Sequence, residues 1–144
     1  MSKALDIAQH IIDFCCKEGQ PISNLQLQKI LYYVQLNFLV RGQTLFDDDF
    51  IAMDFGPAIL EVYNLYCGFG GSKIIIHFPQ EIDLPERIKA EIDPIIRTKR
   101  VLEPWSINEK LLRKNGPWEL VYTAFGAYSV IPKDLIKKDY LGWL

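Results

Sequence analysis

The chain has 144 residues, is 49% hydrophobic and carries a formal net charge of −2. That length and apolar content suit one domain with a sizeable core and exclude a disordered chain. The charge is mildly partitioned, net −4 over residues 1–72 and net +2 over 73–144; without the concentrated basic face that phosphate contacts demand, nucleic-acid binding is not expected.

No apolar run reaches the roughly 18–20 residues of a membrane-spanning helix. Asp6, Gln9, His10 and Asp13 interrupt the N-terminal run where a secretory signal would be continuous. A cytoplasmic protein with no membrane association is expected. The cysteines, Cys15, Cys16 and Cys67, are odd in number and lack framework spacing, which fits a reducing compartment. Adjacent residues on a helix diverge by about 100°, so Cys15 and Cys16 do not jointly face one metal. They read as small buried hydrophobes, and neither a metal nor a cofactor is expected.

In chain order, the first helix is predicted from about Lys3 to Lys17. Ala4, Ile7, Ala8, Ile11, Ile12 and Cys15 form its buried stripe, and His10 falls on the opposite, solvated one. Gly19 and Pro21 end it. The second helix has a capping box: Ser23 and Gln26 can satisfy each other's backbone N–H groups, with Ile22 and Leu27 at the hydrophobic staple positions. From Leu27 to Val40 this helix is apolar around most of its circumference, which predicts a central place in the fold. Its polar members, Gln28, Lys29, Tyr32 and Gln35, then need partners or a surface groove.

Asp47–Asp49 read as a solvated turn, since no calcium-loop pattern surrounds them. "FIAMDF" and "KIIIHF" read as short strands that could pair with each other. Between them "FGPAIL" reads as a helix start, with Pro57 at the first helical position, Gly56 as cap, and Phe55 and Leu60 as a staple. A phosphate cradle is disfavoured, because Pro57 removes a backbone donor. Pro94 must kink or divide the helix predicted over residues 83–102. "SINE" at 106–109 is a second capping box, and Pro117 and Pro132 open the last two helices. The predicted fold is mainly α, a compact multi-helix domain spanning 1–144 with a minor two- or three-stranded β element. No catalytic constellation emerges from spacing alone.

The order of motifs resembles a known family. Leu27, Gln28, Lys29, Ile30, Leu31, Tyr32 and Tyr33, then Leu45 and Phe46, then Phe55, Gly56, Pro57 and Tyr63 match the signature of the SocA-like, phage-associated family called the Panacea antitoxin domain. The later "GPW" and "VIPKDLIKKDY" look like its closing Pro-Trp and final helix. One departure is local: where the family often carries Thr-His before the Pro-Trp, this chain has Leu112 and Arg113.

The resemblance implies a non-enzymatic member of a toxin–antitoxin system that neutralises a co-encoded toxin by direct protein binding. One alternative is a proteolytic adaptor, with a protease as a second partner. The other is a small-ligand binder or enzyme using the Gly56–Pro57 turn. Gln28, Lys29, Tyr32, Asp54, Gly56, Pro57 and Tyr63 are the candidate motif groove, though for Gln28 and Tyr32 structural hydrogen bonding is the favoured reading. Trp105, Arg113, Trp118, Tyr140 and Trp143 are candidate partner contacts, because aromatic and arginine side chains are frequent interface anchors.

Overall fold

The computed structural model describes residues 3–80, 82–102 and 110–141. Helix α1 spans Ala4–Lys17 and α2 spans Asn24–Leu39. A hairpin follows, with β1 at Phe50–Met53 and β2 at Gly56–Ala58, then α3 at Leu60–Tyr66 and a 3-10 turn at Cys67–Phe69. Helix α4 spans Glu86–Arg100, α5 Pro117–Phe125, β3 Val130–Ile131 and α6 Lys133–Leu141. The fold is mainly α with a small antiparallel sheet, as the sequence predicts.

Helix α2 sits at the centre, in contact with α1, α3, α4, α6 and β2. Its predicted capping box is present: Gln26 N–H donates to Ser23 Oγ at 3.3 Å, and Ser23 N–H donates to Gln26 Oε1 at 2.9 Å. Leu27, Ile30, Leu31 and Val34 are fully buried, as are Ile7, Ile11 and Ile12 of α1. Apolar burial of this extent is the main term holding the helices together.

The sheet has the order β2-β1-β3. Ile51, Ala52 and Met53 pair with Ala58, Pro57 and Gly56, which leaves Asp54 and Phe55 as a two-residue turn. Phe50 and Ile51 pair with Ile131 and Val130. Gly56 has φ +125°, a conformation L side chains rarely adopt. The Gly-Pro pair therefore ends a hairpin rather than opening a helix. Helix α3 begins only at Leu60, and the helix start expected at Pro57 is corrected.

Other expectations change for tertiary reasons. The "KIIIHF" segment is not a strand, because both edges of β1 are already taken by β2 and β3; only Lys73 makes an isolated bridge, to Ser23. Pro94 does not divide α4. It lies on the exposed side of a helix whose buried stripe is Ile88, Ile92 and Ile96, so the carbonyl of exposed Ala90, left without its donor, is open to water. His10 is buried, not solvated, with Nε2 2.7 Å from Asp93 Oδ1 of α4. Of the cysteines, Cys15 is buried, Cys16 is half-buried and Cys67 is exposed. Asp47 and Asp49 face solvent as expected, whereas Asp48 accepts a hydrogen bond from the N–H of Ala4 at 3.0 Å. The "SINE" capping box, Trp105 and the Trp143–Leu144 tail lie outside the described residues.

Candidate functional site

The polar residues of α2 are directed at backbone. Asn24 Nδ2 donates to the carbonyl of Tyr63 at 3.1 Å. Gln28 donates through Nε2 to Asn24 Oδ1 at 3.1 Å and accepts from Ile59 N–H at 2.9 Å. Lys29 Nζ donates to the carbonyl of Phe55 at 2.8 Å. One turn and a half further on, Gln35 donates to the Phe46 carbonyl at 2.6 Å and accepts from Leu45 N–H at 2.8 Å. Asn24 and Gln28 share a helix face at i, i+4. Together these side chains tie the hairpin turn, the strand-to-helix junction and the loop after α2 to the central helix. Buried peptide groups that lack regular partners are satisfied in this way.

Lys29 is fully buried, yet no carboxylate among the described residues pairs with it. Desolvation lowers its pKa from 10.5 to about 7. A Cβ on Gly56 would lie 2.3 Å from Lys29 Nζ and 3.1 Å from Leu112 Cδ2. Glycine suits this position through its φ, and a side chain there would also have to displace the Lys29 amine. Leu112, where the family pattern departs, packs directly over the Gly-Pro turn.

Tyr32 is 3% exposed and packs edge-on against Phe50, ring centroids 5.2 Å apart. Burial, aided by the Asp139 carboxylate, raises its phenol well above the usual range. Tyr63 is half-buried and stacks on Phe55 at 5.0 Å. Asp54 is exposed at the turn and accepts a hydrogen bond from Tyr122 Oη. Trp118 is half-buried, stacks on Tyr122 at 4.9 Å and donates through Nε1 to the Met53 carbonyl at 2.6 Å.

Lys29, Asp54, Gly56, Pro57, Tyr63 and Trp118 therefore meet around one hairpin. Gln28, Lys29 and Tyr32 are buried and do not line an open groove. Arg113 stands apart, in an ion pair with Asp139 of α6. Sequence reading missed Tyr122, whose only local signal is its i+4 spacing from Trp118, and Asp139. Among the described residues, no cluster of three or more His, Cys, Asp or Glu side chains is placed to hold a metal, and no helix is long and apolar enough to cross a membrane.

A single α2-centred helical scaffold whose signature residues anchor a Gly-Pro hairpin defines the class. The chain belongs to the family "Antitoxin SocA-like, Panacea domain", whose model matches residues 27–119. It is similar to Antitoxin SocA of Caulobacter vibrioides (strain NA1000 / CB15N), at 28% identity over 131 residues, covering 80% of this chain and 68% of that protein. No solved structure matches the fold.

Proposed function

We propose that this chain is a non-catalytic antitoxin that neutralises a toxin encoded beside it by binding that toxin directly, in the cytoplasm and as one 1–144 domain. The observation that carries the reading is membership of an antitoxin family across residues 27–119, joined to likeness to Antitoxin SocA. The environment of the motif supports binding over chemistry. Gln28 and Lys29 have their polar atoms engaged by Asn24 and by the peptide groups of Ile59 and Phe55, which fits a part in holding the hairpin. Partner contacts then fall to exposed and half-buried residues outside the central helix, with Asp54, Trp118 and Arg113 among the candidates.

Co-expression with the neighbouring gene product tests this. Growth arrest by the neighbour alone, rescue by this chain and co-purification of the two are the expected results. Rescue without a complex and only with an intact protease would replace neutralisation by adaptor activity. A harmless neighbour that does not co-purify would refute both.

A further inference from the structure

On the side of the molecule where α5 begins and α6 ends, Pro117, Leu120 and Leu135 form the floor of an open groove of about 550 Å³. Leu120 is 45% exposed. The Arg113–Asp139 pair bridges the turn before α5 to α6, so those two charges offset each other. Lys114 and Lys138 also border the groove, both exposed, and neither pairs with an acid among the described residues.

The result is a cationic rim over an apolar floor on a chain whose net charge is −2. Such a local reversal of sign selects a partner of complementary charge more strongly than it adds affinity. A second exposed apolar surface, made by Phe125, Tyr128 and Val130, has no comparable charge pattern and does not say what would cover it.

We infer that the α5–α6 groove is the docking site for an acidic amphipathic segment of the protein partner, one that seats aliphatic or aromatic side chains on Leu120 and Leu135 and sets Asp or Glu against Lys114 and Lys138. The inference rests on the antitoxin reading and narrows it to a surface and a partner chemistry. Helix-in-groove recognition places anchors at i, i+3 or i+4, which leaves flanking positions on such a helix for carboxylates.

The test is the complex of the full chain with the protein encoded beside it, titrated at low and physiological ionic strength. Lys114→Glu with Lys138→Glu should weaken binding about tenfold or more, mostly through slower association. The loss should shrink as salt screens the rim. Leu120→Ser should weaken binding at every salt concentration, and Phe125→Ser should leave it unchanged. In the wild-type complex Lys114 and Lys138 should resist acetylation; that footprint decides the matter should the charge-reversed variant fail to fold. A double variant that melts like the wild type and binds equally well overturns the groove while the antitoxin reading stands, as does unaltered acetylation of both lysines. A wild-type chain that forms no complex removes the antitoxin reading and the groove together.

Discussion

Lys29 should make the protein more stable as pH rises from 7 to 9. Its folded pKa is about 7 against an ordinary 10.5, so in this range the unfolded chain holds a proton that the folded chain has released. Stability therefore climbs with pH between the two values and is lost as pH falls toward 7. Each unit is worth ~1.4 kcal/mol, which over the whole interval amounts to roughly 4–5 kcal/mol. Only the lower part of the interval is clean. Burial raises the Cys15 thiol from 9.0 to about 11. Its stabilising effect, complete below 9, is lost as pH rises above 9. The raised phenols of Tyr32, Tyr33, Tyr66 and Tyr122 oppose Lys29 in the same sense above about pH 10. Between pH 7 and 9 the expected gain is about 2–3 kcal/mol, or roughly 1–2 M in the urea midpoint.

Urea unfolding under reducing conditions measures this directly, with Lys29→Met as the comparison. Methionine fills a similar volume but cannot donate to the Phe55 carbonyl, which costs about 1–3 kcal/mol. Removal of the buried amine should nevertheless flatten the pH dependence and bring the variant level with or above the wild type near pH 6. A flat wild-type profile from pH 7 to 9, or an equal slope in the methionine variant, would refute the assignment of a desolvated amine at this position.

Gly56→Ala should destabilise by about 2–4 kcal/mol, because a Cβ there meets both a forbidden φ and the Lys29 amine; thermal melting should show a drop of roughly 5–15 °C. Gln28→Ala leaves the Ile59 N–H and the Asn24 Oδ1 unmatched in the interior and should cost about 1–3 kcal/mol by chemical denaturation. The hydrogen bond to Asp54 raises the Tyr122 phenol above its ordinary value, so Asp54→Asn should move that titration downward. Site-resolved NMR of labelled tyrosine reports it, and an unmoved titration would show that the hydrogen bond is not the cause.

What could be read in the sequence was mostly local. The Ser23–Gln26 box requires only residues three apart, and both of its bonds are present. The near-complete apolar circumference of α2 announces its central position without reference to any other segment. His10 could not be placed in the same way, since its partner Asp93 is 83 residues away. The Gly-Pro turn misled for a related reason. Pro57 fits the first turn of a helix and the end of a hairpin equally well by its own φ, and the choice was made by β1, which offers an antiparallel register through Met53 and Ala52. Strand β3, only two residues long, has no pattern to detect; it exists because β1 has a second edge. Of the candidate site, the motif residues and the need of Gln28 for a structural partner were legible, but the partner, the Ile59 N–H, was not, because it depends on the hairpin folding back over α2.

That burial bears on where partner specificity can reside. A side chain such as Gln28, fixed by Asn24 and by a peptide N–H, has almost no freedom to vary and no surface to offer. It can hold the same hairpin in place whatever the partner. Lys114, Lys138 and Leu120 are exposed, so they can change without disturbing the core. Substitutions in the two groups should consequently separate. Gln28→Ala on α2 should lower thermal stability and toxin protection in parallel. Changes in the α5–α6 groove should lower protection while the melting temperature holds. Parallel loss in both groups would mean that the scaffold and the partner surface are not distinct.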